Sequence, residues 1–173
     1  MKNFIIILGI LITYLAIGNI SVEEVKIPDE AIRFRVVANS DSKYDQSIKL
    51  KVKTKVEKEL YNLLKDTKGI DEARTTITNN LNNIDKKVNN LLMKENYNLG
   101  YKLNFGYNYF PEKEFNGVTY EEGMYESLLV TLGEGKGDNW WCVLFPPLCL
   151  LEAEESDEVE YKFFIQELIE KYL

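Results

Sequence analysis

The sequence predicts an α+β fold, an antiparallel sheet packed with helices, preceded by an N-terminal apolar export or anchor helix. Three observations lead there. In IRFRVVANS, Ile32, Phe34 and Val36 alternate with Arg33 and Arg35, the period of two that marks a strand. In YNLGYKLNFGYNYF, the residues Tyr97, Leu99, Tyr101, Leu103, Phe105, Tyr107 and Tyr109 fall at every second position with Asn, Gly and Lys between them. One buried and one wet face is the pattern of an antiparallel sheet. Between these stretches, apolar residues recur at steps of three and four, as on amphipathic helices.

The chain begins with Lys2 and an apolar run from Phe4 to Ile17, followed by polar and acidic residues. Fourteen residues are short for a membrane span and suit the core of a secretory signal. Ala16 and Gly18 set small residues at the spacing of signal cleavage, which places a cut before Asn19. Residues 1–20 are therefore a signal peptide or an uncleaved membrane anchor, and in the second case they hold the protein at the membrane. Lys2 stays inside while Glu23 and Glu24 cross, so both readings export residues 21–173 as one domain.

Within that domain, Ser42 and Asp45 have the spacing of a capping box. Tyr44, Ile48, Val52, Val56, Leu60 and Leu64 then form the stripe of a helix that ends near Gly69. A second helix carries Ala73, Ile77, Leu81, Ile84, Val88 and Leu91. Its six asparagines between Asn79 and Asn90 lower its intrinsic propensity, so packing must hold it. After the tyrosine ladder, which reads as core rather than as a ligand stack, Pro111 ends the strand and Asn116-Gly117 marks a hairpin turn. A further strand has Met124, Leu128, Val130 and Leu132 on its apolar side. Glu152 to Glu158 form a solvated loop; in the last segment Val159, Tyr161 and Phe163 alternate, but Tyr161, Phe164, Ile165, Leu168, Ile169 and Tyr172 fit a helix, and it reads as mostly helical. No internal repeat and no linker divides the domain.

Composition narrows the chemistry. A net charge of −7 argues against a nucleic-acid binder, and the six lysines between Lys43 and Lys58 read as a solvated helix face. The chain has no histidine, which removes Ser/His/Asp and Cys/His triads, HExxH helices and histidine-ligated zinc. Two cysteines cannot complete a four-thiolate site. DTKG at Asp66 does not match the Asp-Thr-Gly loop of aspartic proteases. Among 28 acidic residues, no spacing singles out a catalytic pair, although a cell-wall hydrolase using two carboxylates is the rival class. The expectation is no enzyme, no cofactor and no metal.

The rare residues gather in GEGKGDNWWCVLFPPLCLL, Gly133 to Leu151. Gly133, Gly135 and Gly137 match neither a Walker loop nor a dinucleotide fingerprint, and read as a tight turn. If the chain reverses at Phe145-Pro146, residues 142 and 149 lie opposite one another. Pro146 then takes the position of a cis proline in a type VI turn. Cys142 and Cys149 are disulfide candidates in an oxidising compartment; in a strand that does not double back they are two buried thiols. Trp140 and Trp141 point to opposite sides of an extended chain, so one enters the core and the other is left near the surface as an interface group. Trp140, Trp141, Phe145, Pro146 and Pro147 are the candidate partner contacts, with Arg33 and Arg35 on the polar side of the first strand.

These stretches, GEGKGDNWWCVLFPPLCL together with IRFRVVANSDS and DQSIKLKVK, closely resemble the stage II sporulation protein R family of endospore-forming bacteria. The resemblance runs from about Ile32 to Leu151 and on into the last segment; it is weaker over GVTYEEGMYESLL and the Asn-rich helix. It implies a signalling protein made in the forespore and exported into the space between the two septal membranes. There, members activate a membrane-embedded aspartic protease that cleaves the precursor of sigma-E. On that view the protein is a ligand, and the aspartate chemistry belongs to its partner.

Overall fold

The structure, a computed structural model, describes residues 31–115 and 118–146. The expected leader, the Asn116-Gly117 turn, Pro147, Cys149, the acidic loop and the last helix lie outside the described residues.

Strand β1 (Ile32–Val37) leads into helix α1 (Lys43–Leu64) and helix α2 (Ile70–Lys94). Strand β2 (Tyr101–Phe110) follows, then the short β3 (Lys113–Phe115) and β4 (Val118–Tyr120), and finally β5 (Gly123–Leu132) and β6 (Asn139–Phe145). The fold is α+β. Four strands form one sheet in the order β2-β5-β1-β6, and β3 pairs with β4 as a separate two-stranded hairpin.

The sheet is mixed where alternation suggested antiparallel pairing throughout. β2 runs antiparallel to β5, and β6 antiparallel to β1, but β1 lies parallel to β5, with Phe34 beside Leu128 and Val36 beside Val130. Alternation fixes which side chains share a face and is silent on the direction of the neighbour. The two helices and β2 together carry the chain back to the starting end, so β5 re-enters in the same sense as β1.

One face of the sheet and the helix pair enclose the core. Ile32, Phe34 and Val36 of β1 and Leu128, Val130 and Leu132 of β5 meet Ile48, Val52, Val56, Leu60 and Leu64 of α1 and Ala73, Ile77, Ile84, Val88 and Leu92 of α2. The helix stripes largely follow their spacing, except that on α2 Leu92 is buried while Leu81 and Leu91 are only partly so, and that Tyr44 is exposed and stacks on Tyr97, with centroids 6.4 Å apart. Tyr97 itself is buried, and burial pushes its phenol up to about 12.

The start of α1 is held by the predicted cap and by more. Asp45 N donates to Ser42 Oγ at 3.1 Å. The Asp45 carboxylate turns away from the reciprocal capping-box bond and accepts from Ser40 Oγ at 2.5 Å and from Asn39 Nδ2 at 2.9 Å. The Ser40 bond, then the Asn39 bond, hold its pKa below the ordinary value against the opposing effect of burial. A depressed carboxylate stabilises the fold fully above its unfolded pKa and loses that contribution as pH falls through the folded value. Asp45→Asn is therefore expected to lower unfolding free energy by about 1–2 kcal/mol at pH 7, with the gap to wild type closing in acid below about pH 4. Urea unfolding of both proteins across that range measures it; a gap that stays constant with pH contradicts the assignment.

Candidate functional site: the Trp-Trp strand and the end of the sheet

The turn between β5 and β6 is built against the loop after β1. Gly133 and Gly135 take positive φ (54° and 65°), which lets the chain fold back on Asn39 and Ser40. Glu134 N donates to Asn39 Oδ1 at 3.0 Å, Lys136 N to Asn39 O at 3.1 Å and Gly137 N to Ala38 O at 2.9 Å. Asp138 N donates to Asp41 Oδ1 at 2.6 Å. A side chain at Gly137 would overlap the Ser40 carbonyl. The two conspicuous motifs NSDS and GEGKGD are therefore the two halves of one contact. Lys49 joins them, with Nζ bonded to Gln46 Oε1 at 2.5 Å and to Asp138 O at 3.2 Å. It is buried, so the lysines of α1 are not uniformly a solvated face.

This turn delivers β6 with its tryptophans on opposite faces, as the alternation requires. Trp140 lies on the helix side, edge-on to Phe34 at 5.6 Å between centroids, with Lys53 Nζ 4.6 Å from its ring. It is partly buried. Trp141 lies on the other face and is only 6% exposed, edge-on to Phe110 at 5.5 Å. One tryptophan is thus buried and the other keeps accessible area, and the second face of the sheet is packed as well. Arg33, expected on a wet face, is 2% exposed. Its guanidinium carbon sits 3.2 Å from the Tyr125 ring centre, 4.8 Å from that of Trp141 and 5.2 Å from that of Phe110. Aromatic faces are negative, and a desolvated guanidinium among them gains up to about 2 kcal/mol.

Arg35, next along the same face, is partly exposed; Nη1 donates to Tyr109 O at 2.9 Å and the guanidinium lies 5.2 Å from the Phe110 ring. Burial lowers its pKa. Phe145 and Pro146 are buried, and the peptide between them is cis, while the turn expected there runs into residues outside those described. Cys142 lies on the helix side of β6 against the core. Of the candidate contacts, Trp140 and Arg35 keep accessible area, whereas Arg33, Trp141, Phe145 and Pro146 support the strand from within.

The sequence reading missed Phe110 and Tyr125, which complete the arginine cluster. The signal was present, since Phe110 breaks the ladder's alternation. It missed also that the ladder leaves the core before its end. Tyr101, Leu103 and Phe105 pack against the helices, while Tyr107 and Tyr109 are 70% and 54% exposed and Met124, opposite Tyr109, is 59% exposed. Past Glu126, which pairs with Arg74 of α2 at 2.7 Å, neither α1 nor α2 covers these side chains. The Tyr109 hydroxyl donates to Glu122 Oε2 at 2.7 Å, and that bond holds its pKa above the ordinary value.

Fold and site define a two-layer α+β domain in which the glycine turn and the Trp-Trp strand are locked to the first strand and helix. No group of three or more His, Cys, Asp or Glu suited to a metal ion occurs among the described residues. The chain belongs to the stage II sporulation protein R family, whose description, Stage II sporulation protein R (spore_II_R), matches residues 28–155. Over 138 residues it is 42% identical to Stage II sporulation protein R of Bacillus subtilis (strain 168), an alignment covering 80% of this chain. The chain spans 62% of that relative's length. No solved structure matches it. Membership makes this a protein of a sporulation family, a regulatory class compatible with action by binding.

Proposed function

We propose that the protein is an exported signal that activates a membrane-embedded aspartic protease and so triggers processing of the sigma-E precursor. Family membership over residues 28–155, which include the Trp-Trp strand and the Phe-Pro-Pro-Leu-Cys segment, carries this reading. The apolar run Phe4–Ile17 supports export from the forespore into the intermembrane space, as a secreted or anchored form. A pairing of Cys142 with Cys149 would hold the segment after β6; no free cysteine is found among the described residues, which supports it. Activation requires tighter binding to the protease's active state, a dimer in this reading, than to its inactive one. Trp140, Arg35 and the segment around Pro147 are the proposed contacts, and the buried Trp141, Phe145 and Pro146 position them.

Co-expression of the full chain, the protease and the sigma-E precursor in a host lacking all three tests the reading. Cleavage is expected only when the chain is present and its leader intact. Equal cleavage without the chain would overturn it. Turnover of cell-wall substrate by the purified protein alone would favour the hydrolase class instead.

A further inference from the structure

We infer that the outer edge of β2, with Tyr107, Tyr109 and Met124 above it, is a docking site for an extended cationic segment of the partner polypeptide. The inference rests on the proposed function for the partner's identity, and on the structure for the chemistry of the segment.

Three observations carry it. β2 is ten residues long and ends the sheet, with no strand on its outer side among the described residues. A long edge exposes a row of main-chain donors and acceptors, although Gly106 O already accepts from Asn108 Nδ2 at 3.0 Å. Secondly, Tyr107, Tyr109 and Met124 form one exposed group on adjacent strands, Tyr109 lying opposite Met124 and Tyr107 opposite Glu126. Such aromatic anchors beside a free edge match strand addition, in which the backbone supplies affinity and alternate side chains supply selectivity. Thirdly, the surroundings are acidic. Glu112, Glu121 and Glu122 are exposed, while Glu126 is paired with Arg74. That rim repels an anionic bilayer and favours Lys or Arg on the incoming strand. The site also lies at the end of the sheet where Ile32 faces Phe145, the end from which the chain leaves β6 toward Pro147.

The test substitutes the photo-crosslinker p-benzoylphenylalanine for Tyr107 in the full chain, with Tyr61 on α1, also exposed, as the control position. Each variant is co-expressed with the protease and the precursor, and cross-links and precursor cleavage are scored separately. The expected product joins position 107, and not 61, to a Lys- or Arg-bearing segment of the protease. Combining it with Glu121→Lys and Glu122→Lys is expected to cut capture by about fivefold or more. A cross-link formed without precursor cleavage supports the docking site and counts against activation. Cleavage without a cross-link, or capture of lipid or of a second copy of the chain, overturns the site and leaves activation standing. Neither cross-link nor cleavage overturns both.

Discussion

Trp141→Ala is expected to lower unfolding free energy by about 3–5 kcal/mol and to abolish precursor cleavage as a consequence. Trp141 is nearly inaccessible, its ring meets Phe110 edge-on, and it forms one wall of the aromatic group around the Arg33 guanidinium. Truncation opens a cavity on one side of a buried charge, and both terms act in the same direction. Domains of this size hold about 5–15 kcal/mol in all, so the loss leaves the variant near its folding threshold. Trp141→Phe keeps an aromatic face toward Arg33 and is expected to recover most of the stability. Trp140→Ala removes a partly buried ring and is expected to cost about 1–2 kcal/mol, leaving the fold intact. The pair therefore separates support from contact. If Trp140→Ala folds and fails to drive cleavage while Trp141→Phe folds and drives it, Trp140 is the contact. Denaturant unfolding beside the cleavage assay decides it, and a Trp141→Ala protein as stable as wild type would contradict the packing described for the second face.

Much of the fold was legible in the sequence because its periods are clean. The stripes of α1 and α2 and the apolar sides of β1 and β5 follow from steps of three, four and two, and Ser42 caps α1 as its spacing suggests. What was not legible depends on long-range placement. The alternation of Arg33 and Arg35 says that they share a face, but burial of Arg33 needs Phe110, Tyr125 and Trp141, which arrive from three other strands. The ladder from Tyr97 to Tyr109 alternates without interruption, yet its far end is exposed because the helices stop short of it, and helix length along a sheet is not written in the strand. The relation between NSDS and GEGKGD was equally hidden. Each motif has a local reading, as a cap and as a turn, and only the pairing of β1 with β6 brings them together.

That pairing makes Gly137 the position least tolerant of a side chain. Gly137→Ala is expected to cost about 3 kcal/mol or more, since the new carbon would collide with the Ser40 main chain and not with a flexible side chain that could yield. Relief requires the turn to lift away from Asn39 and Ser40. The bonds from Gly137 N to Ala38 O and from Asp138 N to Asp41 Oδ1 then lengthen, and Lys49 Nζ loses Asp138 O. Gly100 provides the contrast. Its φ of 73° strains an L-residue, but nothing lies within 4 Å of the added carbon, so Gly100→Ala is expected to cost only about 1 kcal/mol. Hydrogen exchange distinguishes the mechanisms beyond the magnitudes. In Gly137→Ala, amide protection is expected to fall at Gly137, Asp138 and the first turn of α1 together, because Asp45 is held by the same Asn39 and Ser40 that receive the turn. Loss of protection confined to residues 133–138, with the start of α1 unchanged, would show that cap and turn are independent. A lifted turn also shifts the start of β6, so Trp140 moves with it. Precursor cleavage is accordingly expected to fall in Gly137→Ala more steeply than in Gly100→Ala, even at a temperature where both remain folded.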